Sequence, residues 1–248
     1  MDQRAKYQSH WENSEVLVNV PFSAAGVGTT VVLTSKFTGR IMLMDVGDGA
    51  VRDLLDSTGT TSFVFDIDLI AITHGHFDHV GGLHTLLGFM RMLGRKEPLN
   101  ILIPTHCVEA IRIIKGFRDC YPESLPFKIW YHETSQGSEF DTDFFKVKSF
   151  GVEHFGTECN TENEVLMPAL GFRVQVGESI VAYSGDTRVC SGVEMAVTNA
   201  DLAILEATHP VTPDTGARVH LSVEEATELG ELARAYILIH RIPETDNS

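Results

Sequence analysis

Long apolar runs are missing from this 248-residue chain: none approaches the roughly 18 to 20 residues of a membrane span. The opening Met1-Asp2-Gln3-Arg4-Ala5-Lys6 leads into polar residues and lacks the apolar core of a signal peptide. Cysteine is scarce. Cys107, Cys120, Cys159 and Cys190 contain no CxxC pair, which argues against a disulfide framework and for reduced thiols in the cytoplasm. Basic residues are also few, 19 Lys and Arg against 34 Asp and Glu, for a formal net charge of −15. Binding to a long nucleic acid draws most of its affinity from Lys and Arg neutralising phosphates, so this balance disfavours such a partner. The local groups Arg91/Arg95/Lys96 and Lys115/Arg118 lie on or beside expected helices and read as solvated faces. Low-complexity segments and linkers rich in Pro, Gly or Ser are absent too, and the reading is one domain over 1–248.

A hydrophobic content of 43% is enough for a sizeable core, and its arrangement alternates between strand and helix patterns. Val16 to Val20, Thr30 to Leu33 and Ile41 to Met44 read as strands. Ala25-Gly26-Val27-Gly28-Thr29 is a tight turn, too short to be a nucleotide loop. Strands are expected at Ile67 to Ile72, Asn100 to Ile103, Phe127 to Tyr131 and Phe144 to Phe150, the last two separated by a polar turn over 133–138. Ala169 to Val176 and Ile180 to Tyr183 form a hairpin, and Leu202 to Leu205 and Ile237 to Ile239 are apolar strands. Helical spacing covers Leu83 to Leu93, Cys107 to Phe117, Val189 to Thr198 and Val223 to Ala233.

The chemistry concentrates in Thr73-His74-Gly75-His76-Phe77-Asp78-His79, which joins a buried strand to a helix. In its extended part His74 and His76 point to one side, because side-chain direction repeats every two residues. Asp78 and His79 come where the chain turns into the helix and can face a second point. Two ions a few Å apart can use all four groups, and imidazole with carboxylate suits zinc, with iron or manganese as alternatives. Three further residues stand at tips of expected strands: His154 after Gly151-Val152-Glu153, Asp186 in Ser184-Gly185-Asp186-Thr187, and His240 after Ile237 to Ile239.

His74-x-His76-x-Asp78-His79 resembles the signature of the metallo-β-lactamase-fold hydrolases. The resemblance implies an α/β protein, an αββα four-layer sandwich with a two-metal site at one edge of the paired sheets. It implies that His74, His76 and His154 bind one ion, that Asp78, His79 and His240 bind the other, and that Asp186 bridges. Asp45, in the acidic glycine-rich loop Asp45-Val46-Gly47-Asp48-Gly49, would orient a histidine ligand, while Asp48 reads as a helix N-cap. The order Ser184 to Thr187, then Glu206-Ala207-Thr208, then His220-Leu221-Ser222, then His240 resembles the ribonuclease Z-type phosphodiesterases. There Glu206 and His220 would form a proton-handling pair. The structural alternative makes Glu206 a helix-side acid and His220 a cap of the next helix.

The resemblance implies hydrolysis by a hydroxide shared between two divalent ions and held in place with the help of Asp78, with His220 and Glu206 assisting the leaving oxygen. Only 31 residues separate His154 from Asp186, with no room for the long basic arm by which the tRNA-processing enzymes grip tRNA. The expected substrate is therefore a small phosphodiester, a cyclic nucleotide or a short RNA, not tRNA; a homodimer is compatible with the family. Ile239-His240-Arg241-Ile242 also lacks the aromatic-serine continuation common in that group. Hydrolysis of a carbonyl substrate (lactone, thioester or β-lactam) is the rival, and it needs no Glu–His pair. A metal-binding protein without catalysis is the non-enzyme rival. His209 is a candidate for the same rim, and His10, His84, His106 and His132 read as ordinary surface or core residues.

Overall fold

The computed structural model describes residues 7–157, 164–214 and 219–243; Cys159 and the opening hexapeptide lie outside them. The chain divides into two compact units, Met1–Thr134 and Ser135–Ser248. In the first, the strands are β1 (Ser9–Glu12), β2 (Val16–Ala24), β3 (Gly28–Ser35), β4 (Ile41–Met44), β5 (Ile67–Ala71), β6 (Leu99–Pro104) and β7 (Ile129–Thr134). They form one sheet in chain order, antiparallel from β1 to β4 and parallel from β4 to β7. Parallel neighbours need crossovers. Those are α1 (Ala50–Thr58) with α2 (Phe63–Asp66), then α3 (Phe77–Val80) with α4 (Leu83–Met92), then α5 (Val108–Cys120). Leu54, Leu86, Met90, Ile114 and Phe117 from these helices pack with Ile70 and Ile101 of the sheet in one core. Truncating one of them, Leu86→Ala, would cost about 2–5 kcal/mol.

The second unit holds β8 (Glu139–Asp141), β9 (Lys146–Gly151), β10 (Phe155–Thr157), β11 (Glu164–Leu166), β12 (Leu170–Val176), β13 (Ser179–Tyr183), α6 (Ser191–Val197), β14 (Leu202–Glu206), α7 (Val223–Gly230) and β15 (Tyr236–Ile239). Its main sheet runs β15-β14-β13-β12-β9-β8, with β10 and β11 as a separate pair. β13, β14 and β15 are parallel, and Val193, Val197, Ala203, Leu205, Ala226 and Leu229 form the core that α6 and α7 share with them.

Several expectations need correction. The polar turn begins only after Thr134: Glu133 and Thr134 belong to β7, paired with Ile103 and Pro104 across the sheet. Pairing with a buried neighbour there overrides the polar composition. Asp48 is not the cap of α1. Gly49 is, at φ 78°, a left-handed conformation that glycine adopts without steric cost, and no side chain caps that end. The residue pattern predicts nothing for α1 or α2, although Gly59 at φ 65° terminates α1 by donating to Leu55 O. Arg95 is not on a solvated face. It is 1% exposed and donates to the carbonyls of Glu97, Val64 and Pro98, so it staples the loop after α4. Among the described residues no helix is long and apolar enough to cross a membrane.

Candidate active site

In the first unit the site residues leave the ends of two parallel strands. Met44 of β4 pairs with Ala71 of β5, and Asp45 N–H donates to Ala71 O at 2.8 Å, so Asp45 lies beside Thr73. Asp45 is fully buried at φ 61°, a left-handed backbone that Asp tolerates better than most residues. Its Oδ1 accepts Thr73 N–H at 2.7 Å, and its Oδ2 accepts Thr73 Oγ1–H and His79 Nδ1–H, both at 2.8 Å. Thr73 Oγ1 also lies 3.1 Å from His74 Nδ1. His74 Nε2 faces His76 Nδ1 at 3.1 Å, and His79 Nε2 lies 3.9 Å from Asp78 Oδ2. Asp78 Oδ2 accepts Gly26 N–H at 2.7 Å. The glycine turn before β3 is a turn, as its sequence indicates, and it also steadies this carboxylate. Gly26 can do so because φ 68° is open to glycine.

In the second unit strand register does the gathering. Tyr183 pairs with Ile204 and Glu206 with Ile239, so the residues following β13, β14 and β15 emerge at one edge. β9 runs antiparallel to β12, itself antiparallel to β13, so His154 after β9 emerges at that edge too. His154 donates from Nδ1 to Val219 O at 3.2 Å. Asp186, 2% exposed, follows Gly185, and its carboxylate lies 3.6 Å from His240 Nδ1 and 3.8 Å from His220 Nδ1. Asp186, His220 and His240 each offer a ligand atom within 4.8 Å of the others. His240 has a left-handed φ of 59°. Among the described residues only His106 and Asn199 share this conformation with Asp45 and His240 without being glycine, and such backbone is commonest where function demands a fixed side chain.

Glu206 is the hub of this unit. It is 1% exposed and takes five hydrogen bonds: His220 Nδ1, Thr187 N and Leu221 N on Oε1, and Thr208 N and Thr208 Oγ1 on Oε2. It ends β14 rather than lying on a helix. The cap of α7 is Ser222, in a capping box with Glu225, so His220 is not the cap. Neither residue therefore takes the helix position that the structural alternative gave it. His209 sits with its ring 6.0 Å from that of His220, and its backbone bridges to Ser222.

The other described histidines lie away from these clusters. His84 stacks edge-on against Phe117, His132 bonds Asn100 Oδ1 at 3.0 Å, His106 N–H donates to Glu133, and His10 is exposed on β1. Burial lowers the His132 pKa. Burial likewise pushes the Cys107 thiol up to about 11, with Glu109 and Asp45 adding to the shift. Thr73 and Thr208 are participants that the motif reading passes over; each adjoins a buried strand end, and that is the signal that could have drawn attention to them.

Each donor set fits a divalent cation. Burying imidazoles and carboxylates together is costly unless a cation compensates them. The 3.1 Å between His74 Nε2 and His76 Nδ1 is close to the roughly 3.3 Å separating two nitrogens on a tetrahedral zinc, given Zn–N bonds of about 2.0–2.1 Å.

Comparison with known proteins decides the family. Residues 52–240 match the model of the beta-lactamase superfamily domain. Ribonuclease Z of Pyrococcus abyssi is 30% identical over 84% of this chain and 79% of its own length, and that of Metallosphaera sedula is 30% identical over 82% and 79%. The chain belongs to the ribonuclease Z family of the beta-lactamase superfamily. Its fold is that of the metallo-β-lactamases: the Bacillus subtilis fold protein YhfI superposes with a TM-score of 0.71 at 17% identity, covering 93% of this chain and 88% of that one. Human tRNase Z, short form, gives 0.69 at 24% identity, covering 90% and 92%. Membership makes the protein a metal-dependent hydrolase acting on phosphodiester bonds, and the clustered His and Asp side chains suit divalent metal.

Proposed function

We propose that this ribonuclease Z-like enzyme hydrolyses a small phosphodiester, a cyclic nucleotide or a short RNA, not tRNA. In this reading the two units act as one catalytic domain, a view supported by the family match running without a break from 52 to 240. His74, His76 and His154 hold one divalent ion, Asp78, His79 and His240 a second, and Asp186 serves both. Zinc suits the imidazole-rich set. Ions so held supply Lewis acidity toward phosphoryl oxygens and lower the pKa of water. A cytoplasmic setting is supported by the free thiols of Cys107, Cys120 and Cys190.

The observation that carries the reading is the bond from His220 Nδ1 to Glu206 Oε1 at 2.9 Å, with the ring 3.8 Å from Asp186. Cleaving a phosphodiester releases an alkoxide, which needs a proton. Glu206 accepts the Nδ1 proton and holds the ring in place, so Nε2 is the atom that delivers a proton to the leaving oxygen. In this reading Asp78, whose carboxylate accepts Gly26 N–H, helps to position the attacking water. The small substrate is supported by the short interval between His154 and Asp186 and by the net charge of −15.

The test is turnover of wild type and His220→Ala on phosphodiesters graded by leaving-group pKa, with metal content checked in both. The variant should keep its metal and lose roughly 10²- to 10⁴-fold on poor leaving groups. It should be much less impaired on a p-nitrophenyl ester, whose leaving group departs unprotonated. Equal dependence on leaving group in the two proteins would remove His220 as the acid.

A further inference from the structure

The two buried carboxylates share an arrangement that motif spacing does not reveal. In each unit a carboxylate grips one imidazole directly and a second through a threonine hydroxyl. Asp45 accepts His79 Nδ1–H at 2.8 Å, and its other contact, Thr73 Oγ1 at 2.8 Å, lies 3.1 Å from His74 Nδ1. Glu206 accepts His220 Nδ1–H at 2.9 Å, and Thr208 Oγ1, 2.7 Å from Glu206 Oε2, lies 2.9 Å from His240 Nδ1.

A hydroxyl has one proton to give, and an ionised carboxylate can only accept. At 2.7–2.8 Å each threonine must donate to its carboxylate, since two bare oxygens would repel at that distance. For Thr208 the backbone carbonyl of His240, at 3.1 Å, is the longer and weaker claimant on that proton. Each hydroxyl oxygen can then meet its imidazole only as an acceptor, so the proton between them belongs to Nδ1 of the histidine. We propose that Thr73 and Thr208 are positioning residues that hold His74 and His240 as Nδ1–H tautomers, leaving each Nε2 bare for a divalent cation. An imidazole binds metal through a nitrogen without a proton, so the relay selects the binding atom before any cation arrives. His74 Nε2 is the nitrogen that faces His76 at 3.1 Å, consistent with that choice.

The inference rests on the proposed function only for the assignment of His74 and His240 as ligands. It also makes Glu206 common to His220 and His240, so the proton donor and one ligand are set by one carboxylate.

The experiment uses the full chain, metal-free for the tautomers and with added zinc for affinity. Long-range ¹H–¹⁵N spectra of the histidine side chains read which ring nitrogen carries the proton, and zinc competition reads affinity. Wild type should show protonated, slowly exchanging Nδ1 at His74 and His240. Thr208→Val, which keeps the shape and removes the hydroxyl, should speed exchange of the His240 Nδ1 proton and weaken zinc binding about 10- to 100-fold. Thr208→Ser should restore both, and Thr73→Val and Thr73→Ser should behave likewise at His74. If Thr208→Val does not fold, the wild-type tautomers and the serine variants still decide. A proton on Nε2 of His240 in wild type, or wild-type zinc affinity in both valine variants, would overturn the proposal. Failure to hydrolyse phosphodiesters with these tautomers intact would instead count against the proposed function alone.

Discussion

The two units solve the same problem by different means. The first places His74, His76, Asp78 and His79 within one strand-to-helix connection, so local chain geometry brings the donors together. The second draws His154, Asp186, Glu206, His220 and His240 from separate connections, and only the register of β9, β13, β14 and β15 makes them neighbours. Their carboxylate anchors differ accordingly. Asp45 holds a threonine and a histidine of one short loop, while Glu206 ties Thr187, Thr208, His220 and Leu221 of three chain segments. A site assembled from dispersed segments depends more on its central anchor than a contiguous one does.

Metal removal should give the largest effect. Chelation should abolish hydrolysis and lower the melting temperature, because binding to the folded state alone adds to its stability. Hydrogen exchange should then rise more at 184–187, 206–209 and 219–222 than at 73–80, since strand register fixes the former but local chain continuity the latter. Uniform loss of protection, or full activity in metal-free protein, would break the comparison.

The anchors themselves give the next effect. Glu206→Ala leaves the buried amides of Thr187, Thr208 and Leu221 without this acceptor, at about 1–3 kcal/mol each, and the sum should exceed about 3 kcal/mol. Asp45→Ala strips the acceptor from only one buried amide, that of Thr73, and should cost less than the loss of three. Urea unfolding of both variants measures the difference. Equal destabilisation would mean that the contiguous unit leans on its carboxylate as heavily as the dispersed one.

The smallest effect concerns thiols. Cys107 begins the connection into α5, is 1% exposed, and has its pKa pushed to about 11 by burial, so about one thiol in a thousand is ionised at pH 8. Cys120, at the exposed end of α5, should react with an alkylating reagent at ordinary rates, while Cys107 should resist until the first unit unfolds. Rapid labelling of Cys107 in the native protein would show that this end of the contiguous unit opens locally.

Much of the molecule is legible in the residues themselves. Ile41 to Met44 is a strand with the same bounds in both readings, and the helix after the His-rich loop differs by one residue, because strong apolar periodicity leaves little choice. The motif His74-x-His76-x-Asp78-His79 is likewise a property of local spacing. By contrast, α1 and α2 escape the residue pattern, and β7 runs past the polar Glu133 because its partner strand is in place. The resemblance of the motif order to that of the ribonuclease Z-type enzymes suggests Glu206 and His220 as a pair. That Glu206 also governs His240 through Thr208 follows only from parallel pairing of β14 with β15, which sets Glu206 opposite Ile239. Local spacing determines which groups are available for chemistry. Long-range register determines which of them share a proton, because hydrogen bonds form at distances near 3 Å that no separation along the chain specifies.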